Sequence, residues 1–197
     1  MSNEVKEIYI VLTYTGTILS KIIKMYTGAS LSHVSISLDK DLNEMYSFGR
    51  LNPYNPFIGG FIHESLTTGT FKRFKKTYAE IYTLKVSNKQ YELIKNKINE
   101  ISNSRKKYKF NTLGLFANAI KVKIKRDNYF YCAEFVKYLL EYSNVKISLP
   151  NIIQPIHFKG KKELKLVYKG IFRKYKDYTD NKISDLKWLI ESSEDNV

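Results

Sequence analysis

The chain places its only cysteine at the head of a helix-like run and a histidine at the head of a strand-like run, about a hundred residues apart. In Ser32-His33-Val34-Ser35-Ile36-Ser37-Leu38 apolar and polar residues alternate, which is the period of a strand with one buried face. Val34, Ile36 and Leu38 fall on one side, and His33, Ser35 and Ser37 on the other. The small residues beside His33 predict a face that a helix can approach closely. From Tyr131 to Tyr142, Cys132, Phe135, Val136, Leu139 and Leu140 share one side of a helix. Asp127-Asn128 just upstream offers turn and capping chemistry, which puts Cys132 in the first helical turn.

The remaining punctuation predicts a mixed α and β chain. Residues 8–13 read as a buried strand, and residues 17–26 have helical spacing with Gly28 as the stop. Asp39 to Asn43 is a turn, and Glu44 to Phe48 the next strand of a hairpin. Residues 49–60 hold two of the four prolines and three of the nine glycines, so an irregular loop bordering a site is expected there. Strands are expected around 61–65 and 78–86. Ser87 and Gln90 form a capping box ahead of Tyr91, Ile94, Ile98 and Ile101 at helical spacing. A short helix is expected over 111–120, a turn over 148–155, a last strand over 164–167 and an amphipathic helix over 185–191.

Length and composition narrow the class. A chain of 197 residues suits one domain with a sizeable core. Its 43% apolar and 14% aromatic content argues against disorder. One cysteine excludes a disulfide framework and a thiolate-rich metal site. Three scattered histidines give no zinc motif, Gly59-Gly60 lacks the rest of a phosphate loop, and no cofactor is expected. The Ile8–Leu12 run is too short for a signal or a membrane span, so a cytoplasmic protein is expected. The net charge of +14 comes in clusters, at Lys72 to Lys76, Arg105 to Lys109, Lys121 to Arg126 and Lys159 to Lys176. Such a field favours anionic partners. No helix-turn-helix, zinc-finger or RNA-sheet pattern accompanies it, so nucleic acid is not the expected partner.

The chemistry rests on Cys132 and His33. A free thiol is mostly protonated at neutral pH, with a pKa of about 8.5. A helix N-terminus and a neighbouring imidazolium both favour the thiolate, and the first-turn N–H groups can donate to an oxyanion. The competing reading of Cys132 is a small buried residue that only packs. His63, beside the 49–60 loop, and His157, in a β-like stretch, lack the register of His33.

The order of these words resembles the circularly permuted branch of the NlpC-type papain-like cysteine hydrolases, the YiiX-like group. That group carries an "SHVGI"-like histidine strand ahead of a "YCSEL"-like cysteine helix. The resemblance spans about residues 8–168 of a single domain over 1–197, and residues 175–197 are an extension without a counterpart. It implies an α+β, papain-like fold: a central, mostly antiparallel sheet with the cysteine-bearing helix packed against it. It also implies Cys132 as nucleophile and His33 as general base. Tyr108, in Lys107-Tyr108-Lys109-Phe110, falls where that group has a tyrosine, and Tyr108 and Tyr131 are expected to contact substrate. Where the group has a glutamate on the strand after the histidine strand, this chain aligns Ser47. Glu64 is the alternative orienting residue if the Gly59-Gly60 loop folds back, and Glu44 a weaker one.

The implied activity is a cysteine hydrolase, amidase or peptidase-like, or an acyl transferase. Its substrate would be a peptide, an amide or a lipid-like acyl compound, with an acidic character favoured by the basic surface, and peripheral membrane contact is compatible with that charge. Two alternatives stand beside it. One is a non-catalytic ligand-binding module on the same fold. The other is a basic nucleic-acid or membrane-surface protein in which Cys132 is structural.

Overall fold

The structure, a computed structural model, describes residues 4–16, 30–52, 55–119, 122, 124 and 126–183. It is an α+β fold on one six-stranded sheet. The strands are β1 (Val5–Tyr14), β2 (His33–Ser37), β3 (Met45–Asn52), β4 (Asn55–Glu64), β5 (Tyr78–Ser87) and β8 (Lys165–Ile171). Their order across the sheet is β4-β3-β2-β1-β5-β8, and every neighbouring pair is antiparallel. Two short strands, β6 (Lys109–Phe110) and β7 (Tyr129–Phe130), form a separate parallel pair. The helices with described bounds are α1 (Gly69–Arg73), α2 (Asn88–Asn103), α3 (Thr112–Ala119) and α4 (Cys132–Tyr142), and residues 175–183 are also helical.

Both faces of the sheet are covered, and β1 shows why its sequence is apolar without interruption. Ile8, Ile10 and Leu12 share a core with Val34 and Ile36, with Ile94, Ile98 and Ile101 of α2, and with Phe135, Val136 and Leu139 of α4. Tyr9 and Val11 point the other way, into a second core with Met45, Ile81, Phe71, Phe172 and Tyr175. A strand buried on both faces needs apolar residues at successive positions rather than at alternate ones. Burying such side chains supplies about 25 cal/mol per Å² of apolar area, the main force that docks α2 and α4 on the sheet. The capping box that starts α2 is formed: the Gln90 N–H donates to the Ser87 hydroxyl at 3.3 Å and the Ser87 N–H to the Gln90 side chain at 3.0 Å.

Two expectations change. Residues 49–60 are no irregular loop; within the described residues they continue β3 and form β4. Gly49 pairs with Gly60 and Arg50 with Gly59. These glycines sit in strands because neighbours need the space: a Cβ on Gly59 would lie 2.5 Å from Phe110 Cγ. His157 lies in a 3-10 turn, Pro155–Phe158, rather than a strand, since Pro155 sets the φ that opens such a turn. The helices expected over 17–26 and 185–191, and the end of the chain beyond 183, lie outside the described residues. Tyr175 belongs to the second core, so packing continues past residue 168.

Candidate active site

α4 begins at Cys132, with Tyr131 as its N-cap in extended conformation. Its tip is pinned by a carboxylate rather than by a hydroxyl. Glu134, three residues after the cap, accepts the Tyr131 N–H at 3.2 Å and the Asn111 side-chain N–H at 3.1 Å. Asn111, fully buried, also accepts the Gly114 N–H at 3.0 Å and so ties the start of α3 to the tip of α4. The apolar face of α4 meets the sheet through Phe135, whose ring lies 5.2 Å from Phe48 and 5.8 Å from Phe61, centre to centre. Cys132 is buried, with 6% of its surface exposed.

His33 opens β2, so its ring stands at the end of the sheet instead of between two rows of side chains. Its Nε2 lies 2.9 Å from Glu64 Oε1. The side chains are largely buried, 21% exposed for His33 and 9% for Glu64. Ser35 donates a hydrogen bond to the other oxygen of Glu64, and its hydroxyl lies 3.3 Å from His33 Nε2. Cys132 lies close enough to the same imidazole to favour its charged form, without a hydrogen bond of good geometry. With Nε2 given to Glu64, Nδ1 is the ring nitrogen left for the thiol.

Electrostatics follow from this chain of contacts. Burial works to lower the pKa of His33, but the Glu64 carboxylate and the Cys132 thiolate outweigh it and hold the ring well above its ordinary value of 6.5. Burial works to raise that of Glu64; the His33 imidazolium and the Ser35 and Ser47 hydroxyls overcome it and keep the carboxyl below its ordinary value of 4.5. Both groups therefore favour their charged forms.

The six expected site residues divide into two sets. Cys132, His33 and Glu64 come together. Ser47 lies against the Glu64 carboxylate, fully buried, close enough to favour its charge but without a hydrogen bond of good geometry. The strand β4 that carries Gly59 and Gly60 is what brings Glu64 to the ring. Glu44 is exposed in the turn before β3, its N–H donating to Asp39. Tyr108 donates to Glu100 of α2 at 2.7 Å, and Tyr131 to the Ile153 carbonyl at 2.8 Å. Both tyrosines are buried, with hydroxyls bonded to protein partners. His63 is bonded to the Asn43 carbonyl at 2.6 Å, and His157 accepts the Gln154 N–H at 3.1 Å.

The small face of β2 has a different use from the one its sequence suggested. α4 packs on the Val34 and Ile36 side, because a docking helix gains most from apolar partners. The space beside Ser35 holds the Glu64 carboxylate instead. Ser35, Glu134 and Asn111 were not legible as site residues. Only the spacing of Glu134 from Tyr131, that of an acid at the third helical position, signals its role.

A buried thiol at a helix start, an imidazole and a carboxylate in series can activate a nucleophile and move one proton. No family model matches the chain, and no curated protein and no solved structure is significantly similar to it.

Proposed function

We propose that the protein is a cysteine-nucleophile hydrolase or acyl transferase on a permuted papain-like fold. The observation that supports it is the buried series Cys132–His33–Glu64, assembled from a helix tip and two strands. In this reading the Cys132 thiolate attacks the carbonyl of an amide or ester, and a carbon–sulfur bond forms. The carbonyl electron pair moves to oxygen, which the first-turn N–H groups of α4 stabilise. His33, as imidazolium, gives its proton to the departing amine or alcohol. It then takes one from the water or acceptor that resolves the acyl-enzyme. Glu64 stays ionised and holds the ring in orientation.

Alkylation kinetics test the activated pair. Cys132 in the native protein should react with iodoacetamide at pH 6 at least about tenfold faster than in a His33→Ala variant, as a thiolate outreacts a thiol. Equal rates in the two proteins would remove the basis of the reading.

The small exposure of Cys132 favours a second reading, a binding module on the same fold that holds a ligand without turning it over. Alkylation no faster than that of an ordinary thiol, with an amide or acyl probe bound tightly and never cleaved, would select it.

A further inference from the structure

Residues 65–77 hold four cations and residues 164–176 hold five, and neither stretch contains an acid. The fold joins them. The Phe71 and Phe172 rings meet edge-on at 4.8 Å, the Phe172 N–H donates to the Thr77 carbonyl at 2.8 Å, and Arg173 donates to the Lys72 carbonyl at 2.7 Å. Lys72, Arg73, Lys75, Lys76, Lys174 and Lys176 are all exposed. Acids flank the two stretches at Glu64, Glu163 and Asp177.

Sheet register places this cluster relative to the candidate site. Tyr78 pairs with Tyr14 on one side and with Ile171 on the other, while Thr13 pairs with His33. The joined basic segments therefore lie at the end of the sheet where β2 begins with His33. The turn at the other end of β2 carries the acids Asp39, Asp41 and Glu44. The Lys72 to Lys76 cations thus stand at the sheet end that holds His33, while Tyr175, between Lys174 and Lys176, donates to the Lys40 carbonyl of the acidic turn at 2.9 Å.

From this cluster of exposed cations we propose that the sheet end bearing His33 docks on an anionic phospholipid surface. Composition selects lipid over nucleic acid. The exposed cations are mostly lysines, which act as point charges toward headgroups. The planar fork of Arg173, the group best shaped to grip a phosphate backbone, is spent on the Phe71 and Lys72 carbonyls. An aliphatic side chain stands among the cations: Ile171, between Lys169 and Arg173, is 37% exposed. Lysines around exposed apolar side chains suit the headgroup boundary, where charge and apolar area both contribute. The surface stands on its own evidence; that it presents acyl or amide substrates of the membrane to Cys132 rests on the hydrolase reading.

Co-sedimentation of the full chain with vesicles tests it, comparing phosphatidylcholine alone with phosphatidylcholine containing phosphatidylserine. Binding is expected only to the anionic vesicles, weakening steeply as sodium chloride is raised. A Lys75→Glu/Lys76→Glu/Lys174→Glu variant, checked for an unchanged melting temperature, should bind at least about tenfold less. Ile171→Thr should weaken binding at high salt, where the apolar contribution dominates. Equal binding to neutral vesicles, or full retention by the triple variant, would overturn the proposal. So would salt-sensitive binding of an oligonucleotide with no binding of vesicles. Cys132→Ala should bind vesicles as the native chain does, so a failed hydrolase reading remains separate from a failed surface.

Discussion

His33 and Glu64 form a largely buried ion pair at 2.9 Å although their strands are not neighbours, for β3 lies between β2 and β4 in the sheet. The pair exists because Glu64 ends its strand, His33 begins its own, and only small side chains, Ser35 and Ser47, occupy the space around the carboxylate. Its chemistry is reciprocal: each partner keeps the other charged against the cost of burial.

Glu64→Gln keeps the shape and removes the charge. The imidazole should then lose its largest stabilising neighbour, and its pKa should fall by at least about one unit, following the usual effect of removing an adjacent opposite charge. An NMR titration of the His33 ring measures this directly. An unchanged titration would mean that Glu64 does not control the ring.

The same pair gives stability a defined pH window. Glu64 has a lowered folded pKa, so its contribution is present above its unfolded value of 4.5 and is lost as pH falls through the folded one. His33 has a raised folded pKa, so its contribution is complete below its unfolded value of 6.5 and is lost as pH rises through the folded one. The stability difference between the native chain and a His33→Gln/Glu64→Gln variant should therefore be largest between pH 4.5 and 6.5. Urea denaturation across the pH range reads it. A difference that grows steadily toward alkaline pH would contradict the sign of the His33 shift.

Phe135 docks α4 on the sheet and has no exposed surface. Phe135→Ala opens a void among Phe48, Phe61 and Phe130 and should cost about 3–5 kcal/mol, the usual range for a buried phenylalanine. Thermal unfolding supplies the number. A cost below about 1 kcal/mol would mean that other contacts hold α4 in place.

Glu80 is a second buried acid, 3% exposed, bonded to Lys159 at 2.7 Å and to the Tyr82 hydroxyl at 2.7 Å. Lys159 is 44% exposed, so solvent screens the pair. Lys159→Met should then cost only about 1 kcal/mol at neutral pH, because the Tyr82 and Tyr78 hydroxyls still donate to the carboxylate. The carboxyl of Glu80 is held below its ordinary value against burial by the Lys159 and Tyr82 hydrogen bonds. Its contribution is present above its unfolded value of 4.5 and is lost as pH falls through the folded one. Denaturation at neutral and acid pH should thus show the cost of Lys159→Met vanishing in acid.

Asn111 holds the tip of α4 through Glu134, and Gly114 leaves room for it: a Cβ there would lie 2.1 Å from the Asn111 side-chain nitrogen. Gly114→Ala should destabilise the chain by about 1–3 kcal/mol despite the better helix propensity of alanine, since Asn111 must leave its partners. Stabilisation in a urea titration would show that Asn111 is free to move.

Local order in the chain determined most of the elements. The two-residue period at Ser32 to Leu38, the capping box at Ser87 and Gln90 and the helical period from Cys132 to Leu140 are short-range patterns, and each appears where it was read. The same register put His33 and Cys132 at the starts of their elements, which is why both could be named in advance. What tertiary structure decided was which distant groups meet them. Gly49, Gly59 and Gly60 signal a loop locally, yet lie in paired strands, and at Gly59 Phe110 packs where a side chain would stand. That extension of β4 carries Glu64 to the His33 ring, a choice that local sequence left open between Ser47, Glu64 and Glu44. The two basic stretches likewise read as separate runs until Phe71 and Phe172 pack together. Backbone periodicity is a property of neighbours in sequence; an ion pair or a charged surface is set by strand order, and strand order by the burial of the whole core.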